Sequence, residues 1–349
     1  MADSIRTTKT ARPTLKDVAD RSGYALRTVK KVMSGDPHVR DRTKAAVLAA
    51  AEELQYTRNQ VASALAKNRS VKLAVVFSEI TDAYFPEIRS GFSQAQKEMQ
   101  DFGLLLEYHI TQTKGWKVQE EILDHLRHQD DIDGVLIQPY DATALNPAID
   151  RLVEAGKPVV TFGADAAKSR RLCYVGPDAY KSGRIGGQIL ANYIGKSGKV
   201  FLISQSLGHM QTSLRQRGFL DRIHDFYPNI QVFEVNLPDN STLYYEMVHS
   251  IVSNETVDGM FCTDANTVVA GQVLSDLGRT DIALVGFDLC ESGIQLMKEG
   301  YIKVIIEQKP EVFAKEATLL LFRHVAEGRL PAPVNNTPLY ILTSECLDE

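Results

Sequence analysis

The chain has 349 residues, a net charge of −5 and 44% hydrophobic residues, a globular composition long enough for two or three folded units. Its four cysteines, Cys173, Cys262, Cys290 and Cys346, form no CxxC pair and lack metal-ligand spacing, so neither a disulfide framework nor a zinc ribbon is expected. No apolar run approaches the roughly 20 residues of a membrane span, and the polar, basic start carries no secretory signal, so the expected setting is cytoplasmic.

Charge is unevenly spread. Residues 1–70 hold 14 Lys and Arg against 7 Asp and Glu, a balance of +7, which leaves −12 for the remaining 279 residues. A basic head on an acidic body predicts that the head meets a polyanion. Residues 1–13 read as a leader, and Thr14 caps a first helix in which Leu15, Val18 and Ala19 form one apolar stripe. Gly23 ends it. A second stripe, Leu26, Val29, Val32 and Met33, is closed by Ser34-Gly35-Asp36-Pro37, and a third helix over 42–55 buries Val47, Leu48, Ala51 and Leu54. Three short helices with a tight glycine turn between the first two predict a helix-turn-helix, whose second helix enters the major groove of double-stranded DNA. Leu26 suits a thymine methyl, Arg27 a guanine edge, and Lys30 and Lys31 guanine or phosphate.

Thr14-Leu15-Lys16-Asp17-Val18-Ala19, Thr28-Val29, Val32 and Ala46 through Tyr56 together resemble the head of the lactose-repressor/purine-repressor family, over residues 14–70 almost without gaps. The resemblance adds Thr28 to the DNA-facing set and assigns Arg58 through Lys67 to a hinge helix. There Asn59, Ala62 and Leu65 meet the minor groove, with Leu65 wedged into a base step. The chain departs from the family pattern at Ala25, Lys30, Lys31 and Arg40, so its operator sequence is expected to differ.

From Val71 the pattern changes to short β-rich runs alternating with amphipathic helices: 72–77, 104–110, 134–138, 158–162, 199–204, 231–235, 259–262 and 282–287. Such alternation predicts parallel sheets covered by helices, and this many units predicts two lobes. Ligands of such folds bind beyond the C-terminal ends of the strands. The residues there are Thr81 through Phe85, Gln138 through Asp141, Phe162 through Asp165, Leu214 through Phe219, Thr263-Asp264, Gly286 through Asp288, and Glu307 through Pro310. Aromatic rings with carboxylates, amides and a guanidinium suit a small polyhydroxylated ligand.

This body resembles the type I periplasmic sugar-binding fold over most of 71–345. The resemblance implies ligand contacts from Asp82, Tyr84, Phe85, Arg215, Thr263, Asp264, Asp288 and Gln308, to which the strand-end reading adds Tyr140, Phe162, Asp165 and Phe287. Sugar-binding members commonly carry adjacent Asp-Arg after the 158–162 strand, where this chain has Gly163-Ala164; a less hydroxylated sugar, a cyclitol or another small molecule stays open beside an ordinary sugar. Each residue also has a plainer reading: core aromatics for Phe162 and Phe287, a helix cap for Asp264, a surface ion pair for Arg217.

The expected fold is therefore an all-α helix-turn-helix head on a two-lobed α/β periplasmic-binding-protein type I core with parallel sheets. Its expected divisions are a leader (1–13), the head (14–57), a hinge (58–70) and an effector-binding body (71–345), with a tail at 346–349. The resemblance implies a first lobe of 71–175 and 308–332 and a second of 176–307 and 333–345. Asn335 through Glu349 carry a short strand near 339–342 and no heptads, so no tetramerising coiled coil is expected.

Enzymatic motifs fail on inspection. His125 and His128 lie in an acidic helical face without a convincing third ligand. Gly195-Lys196-Ser197-Gly198-Lys199-Val200 has the wrong glycine spacing for a phosphate loop, and Gly183, Gly186 and Gly187 do not space as GxGxxG. No cofactor, metal or membrane partner is expected. The reading is a homodimeric, DNA-binding regulator of the repressor kind, controlled by a small sugar-like effector. The competing reading is a solute-binding protein without operator binding. Coupling between effector and DNA is reciprocal, and its sign, inducer or co-repressor, stays open.

Overall fold

The computed structural model describes residues 15–33, 39–54, 70–78, 84–111, 115–205, 210–237 and 241–347. Thr14, the turn at 34–37, Asn59, Ala62, Leu65 and Asp82 lie outside the described residues. The backbone divides at Ser70 and Val71 into two compact units.

The first unit contains helices α1 (Leu15–Ser22), α2 (Leu26–Met33) and α3 (Asp41–Glu53). Val18, Val29 and Val47, one from each helix, are fully buried, with Ala19, Val32, Ala50 and Ala51 around them. These are the inward positions of three short amphipathic helices, and burying them stabilises helices too short to persist alone. Gly23 closes α1 with φ +72°, and its N–H donates to the Ala19 carbonyl at 3.0 Å. The Ala25 carbonyl starts α2 by accepting from the N–H groups of Thr28 and Val29. Arg40 precedes α3 without a side-chain cap, as its departure from the hydroxyl pattern implies. Leu48, expected in the core, is instead 52% exposed; the third-helix stripe runs through Val47, Ala50 and Ala51.

The second unit alternates strands and helices from β1 (Val71–Ser78) through α4 (Tyr84–Glu98), β2 (Leu104–Thr111), α5 (Trp116–Arg127), β3 (Gly134–Ile137), α6 (Ala142–Glu154), β4 (Val159–Phe162) and β5 (Cys173–Gly176). It repeats through α7 (Ala179–Tyr193), β6 (Gly198–Gln205), α8 (Met210–Phe226), β7 (Ile230–Leu237), α9 (Ser241–Asn254), β8 (Gly259–Cys262), α10 (Thr267–Asp276), β9 (Ala283–Phe287), α11 (Glu291–Lys298) and β10 (Val304–Glu307). It ends with α12 (Pro310–Glu327), β11 (Val334–Asn336) and β12 (Tyr340–Leu342). The strands form two sheets, ordered β11-β5-β4-β3-β1-β2 and β12-β10-β9-β8-β6-β7. Every pairing is parallel except β10 with β12. Helices cover both faces, so β3, β4, β8 and β9 are buried throughout and read as continuous apolar runs.

Two strands escaped the sequence reading: β5 and β11, four and three residues long, are short strands paired with each other at the edge of the first sheet. Because β11 pairs with β5, the chain is still in the first sheet at Asn336, and it passes to the second between Asn336 and Tyr340 rather than near 332. The other passages between lobes fall after β5 and after β10, where α12 returns to pack on β1, β3, β4, β5 and α4.

Helix starts follow local chemistry. The Asp141 carboxylate accepts from the N–H groups of Thr143 and Ala144 at 2.9 Å each, and Asp178 from Lys181 N–H at 2.9 Å. Pro310 sits in the first turn of α12, where no N–H is needed. Each lobe has an aromatic centre. In the first, Phe162 lies edge-on to Phe92 at 5.3 Å and to Phe77 at 6.3 Å. In the second, Phe219 stacks on Phe261 at 4.4 Å, with Phe287 edge-on to Phe261 at 5.9 Å.

Candidate functional site

In the head, Leu26, Arg27, Lys30 and Lys31 are exposed on α2, and Thr28 is half-buried. The buried Val29 and Val32 fix which face of α2 turns inward, so the cations point outward together. An exposed Arg21–Glu53 ion pair, with Nε to Oε2 at 2.9 Å, ties α1 to the end of α3.

In the body, the strand ends bring a polar chain together. Arg215 emerges from α8, is 95% buried since only 5% is exposed, and donates Nη1 to the Thr263 carbonyl at 2.7 Å. Its Nη2 donates to Gln308 Oε1 at 2.5 Å, and Gln308 Nε2 donates to Asp288 Oδ1 at 2.5 Å. The Arg215 guanidinium lies 3.9 Å from the centroid of the Phe287 ring, a cation–π contact in a desolvated place. Arg215 reaches this point because α7 presses close: a Cβ at Gly183 would fall 2.0 Å from the Arg215 carbonyl oxygen.

Asp288 follows β9 with φ +62°, a left-handed conformation that costs a non-glycine residue free energy. Burial pushes its carboxyl up to about 6, against the opposing pull of Arg215 and with the Glu307 carboxylate adding to the rise. Glu307 is itself buried and accepts from the N–H groups of Leu289, Gln308 and Lys309 at 3.1, 2.8 and 3.0 Å. It pins the loops after β9 and β10 to one another. Asp264 Oδ1 accepts from Asn266 N–H and Nδ2–H, and the Asp264 carbonyl accepts from the Thr267 hydroxyl at 2.8 Å. It shapes the entry to α10, close to its plainer reading.

In the first lobe, Tyr84 and Phe85 open α4. Tyr84 Oη accepts from Gln138 Nε2 at 3.3 Å, its ring lies 6.4 Å from Phe313, and burial raises its phenol well above the ordinary range. Phe85 lies 5.7 Å from Phe77. Buried Gln119 clamps the loop after β3, accepting from Tyr140 N–H at 2.8 Å and donating to the Gln138 carbonyl at 2.9 Å.

Two of the named residues lie apart from this arrangement. Phe162 is wholly buried in the aromatic centre described above, its plainer reading. Asp165 forms a two-pronged ion pair with Arg171, whose Nη2 donates to Oδ2 at 2.7 Å, and it also accepts from the Thr161 hydroxyl at 3.0 Å. With both oxygens engaged, Asp165 holds the loop between β4 and β5.

A family model described as a periplasmic binding protein domain matches residues 73–329, and one described as bacterial regulatory proteins, lacI family, matches residues 14–59. The chain belongs to the periplasmic binding protein domain family. To that body it joins a lacI-family DNA-binding head. A ribose operon repressor of Bacillus subtilis is 25% identical over 339 residues, covering 92% of this chain and 96% of its own. A ribose import binding protein of Salmonella typhimurium is 26% identical over 269 residues, covering 77% of this chain and 88% of its own. Among solved structures, a glucose-galactose binding protein of Geobacillus stearothermophilus superposes with a TM-score of 0.73 at 25% identity, covering 80% of this chain and 99% of that one.

Sequence reasoning missed one amide of this regulator. Gln211 in α8 donates Nε2 to the Gly163 carbonyl and, at 3.3 Å, to Tyr174 Oη, so it reaches from the second lobe to the first. Its place four residues before Arg215 puts both side chains on one helix face, a signal the spacing carries. Among the described residues, no group of three His, Cys, Asp or Glu is arranged to hold a metal. His125 pairs with Gln129 at 2.8 Å and His128 with Arg127 at 3.1 Å. Gly195 and Lys196, with φ +69° and +65°, form the turn from α7 into β6.

Proposed function

We propose that this regulator is a cytoplasmic homodimeric repressor, without enzymatic activity, that releases or grips its operator according to a sugar-like effector held at the strand ends. The observation that carries the reading is the buried chain Arg215–Gln308–Asp288 over the Phe287 ring, set where α/β folds take their ligands. A guanidinium, an amide and a carboxylate beside an aromatic face match a ligand with several hydroxyls and an apolar face. The names of the relatives support the same ligand class, since they include repressors of ribose and sucrose operons.

On the DNA side, Leu26, Arg27, Thr28, Lys30 and Lys31 read and hold the major groove, and Asn59, Ala62 and Leu65 occupy the minor groove. Two heads on a two-fold axis match a pseudo-palindromic operator. The dimer and its binding are tested by gel retardation on the DNA upstream of its own gene. Neutralising several phosphates makes affinity fall by about 10³ or more between about 50 and 200 mM salt, and Arg27→Ala relaxes discrimination at one base pair by about 1–3 kcal/mol. A flat salt response, or a monomer that ignores the fragment, defeats the DNA reading. A thermal-shift series with D-ribose, sucrose, D-glucose, D-galactose and myo-inositol tests the effector class. A true ligand at about 100 times its Kd adds about 2.7 kcal/mol of stability.

A further inference from the structure

Two carboxylates come together where the first turns of α4 and α12 meet, beside the passage by which the chain re-enters the first lobe. Gly91 sets that contact: a Cβ there would lie 2.8 Å from Glu311 Cα and 2.9 Å from Ala314 Cβ, so α4 lies backbone-close against α12. Farther along, Lys315 Nζ meets Glu98 Oε2 at 2.8 Å, so the two helices run in the same direction. Glu87, one turn before Gly91, therefore stands beside Glu311 and the residues that lead into it. Lys309 in that lead has φ +53°, a left-handed conformation that a lysine adopts only at a cost, so the crossover is already strained.

The charges around Glu87 do not balance. The carboxylates of Glu307, Glu311 and Asp288 act on it, against the single cation Lys309. Other charges on the elements packed against α4 are engaged elsewhere. Lys315 is held by Glu98, Arg89 lies over the Phe85 ring at 5.5 Å and acts on Tyr108 of β2, and Glu107 of β2 pairs with Lys72 and His109. Burial first, and the like charges after it, push the half-buried Glu87 carboxyl up to about 7. Both helix starts favour a negative charge, an effect small beside burial among carboxylates. Across the contact, Glu311 Oε2 is buried with no hydrogen-bond partner among the described residues, which is costly for an acceptor.

One proton answers both problems, because a carboxylic acid donates where a carboxylate can only accept. We infer that Glu87 and Glu311 form an acid pair holding a single proton between α4 and α12, and that this proton fastens the crossover after β10 to the first lobe. With the proton in place, repulsion is relieved and the orphaned oxygen gains a donor. Without it, two like charges face each other and the first turn of α12 is loosened. Glu307, which pins the loops after β9 and β10, stands on the same short segment, so the loosening reaches the strand ends. The body thereby responds to acidity near neutrality, whatever the strand ends bind.

The test is a pH series of urea melts on the full chain, comparing the wild type with Glu87→Gln, Glu311→Gln and the double variant. The folded value of Glu87 lies above its ordinary 4.5, so the stability it contributes is complete below that value and is lost as the pH rises through about 7. Relative to Glu87→Gln, the wild-type folding equilibrium constant is expected to fall about ten-fold or more between about pH 5 and 7.5. The coupling between the two positions is expected to change sign over the same range, favourable where the proton is held and unfavourable where both groups are ionised. Asp288 titrates in all four chains and cancels from that coupling, and a packing role for the glutamates leaves it constant in pH. Carbon-13 spectra of the glutamate-labelled wild type read the proton directly, even if a variant fails to fold. One glutamate carboxyl titrating near pH 7 is expected. Parallel melting profiles, a coupling that does not move with pH, or no glutamate titrating above about pH 6 overturns the acid pair.

Discussion

From one edge the first sheet runs β2-β1-β3-β4-β5 and the second β7-β6-β8-β9-β10, so each strand of one lobe has a counterpart in the other. The most instructive pair is β4 and β9. Each ends in a buried phenylalanine followed by a residue with left-handed backbone: Phe162 then Gly163 at φ +66°, and Phe287 then Asp288 at φ +62°. The same turn has been used in two ways. In the first lobe the aromatic ring joins a hydrocarbon core and the turn carries no side chain. In the second the ring supports a guanidinium, and the turn accepts the cost of a carboxylate in a poor conformation, one of the few residue types that tolerate it. Backbone topology decides where groups can stand; the side chain at one position decides whether the place becomes charged.

The comparison can be broken most forcefully at Arg215. Arg215→Met removes one member of a buried hydrogen-bonded chain and leaves Asp288 without its opposing cation, so a stability loss of about 3–5 kcal/mol is expected in urea melts, with loss of the sugar-induced thermal shift. A change below about 1 kcal/mol would mean that the second lobe holds its charges more loosely than the distances imply.

Asp288→Asn probes the same contrast through pH. The Asp288 carboxyl is raised in the folded state to about 6, above its unfolded value, so the folded chain binds the extra proton. Its contribution is present in full below the unfolded value and is lost as the pH rises through about 6. The wild type is therefore expected to lose stability relative to Asp288→Asn between about pH 4 and 6, read from urea midpoints at each pH. Parallel pH profiles for the two chains would refute the buried placement. Smallest in effect is Gly163→Ala, which forces a Cβ into the left-handed turn and against Gln138. About 1–2 kcal/mol of destabilisation is expected from the backbone alone, together with weaker sugar binding if the neighbouring amide moves.

Much of this arrangement was legible beforehand. The long apolar runs announced their strands, the strand ends drew attention to Arg215, Asp288 and Gln308, and the head was readable from its stripes. What escaped reading depends on which way a side chain turns. Asp165 and Phe162 stand at a strand end like the others, but Arg171, six residues onward, captures one and a core aromatic cluster the other. Gln211 lies on the same helix as Arg215, one turn earlier, and a neutral amide there carries less of a signal than a guanidinium. Leu48 failed for another reason: Val47, Ala50 and Ala51 of α3 satisfy the small core of a miniature domain, and a larger side chain is left outside.

The knot of bonds that Glu307 makes has a mechanical corollary. Gln308, which bonds both Arg215 and Asp288, is separated by a single residue from Pro310, the first residue of α12, and that helix rides with the opposite lobe. An 18-residue helix spans roughly 27 Å, so any change in the backbone torsion beside Gln308 would be magnified along its length. About ten degrees of rotation there swings its far tip by about 5 Å, given that length. The torsion beside one glutamine and the angle of a long rigid rod are, in this polypeptide, geometrically tied to one another.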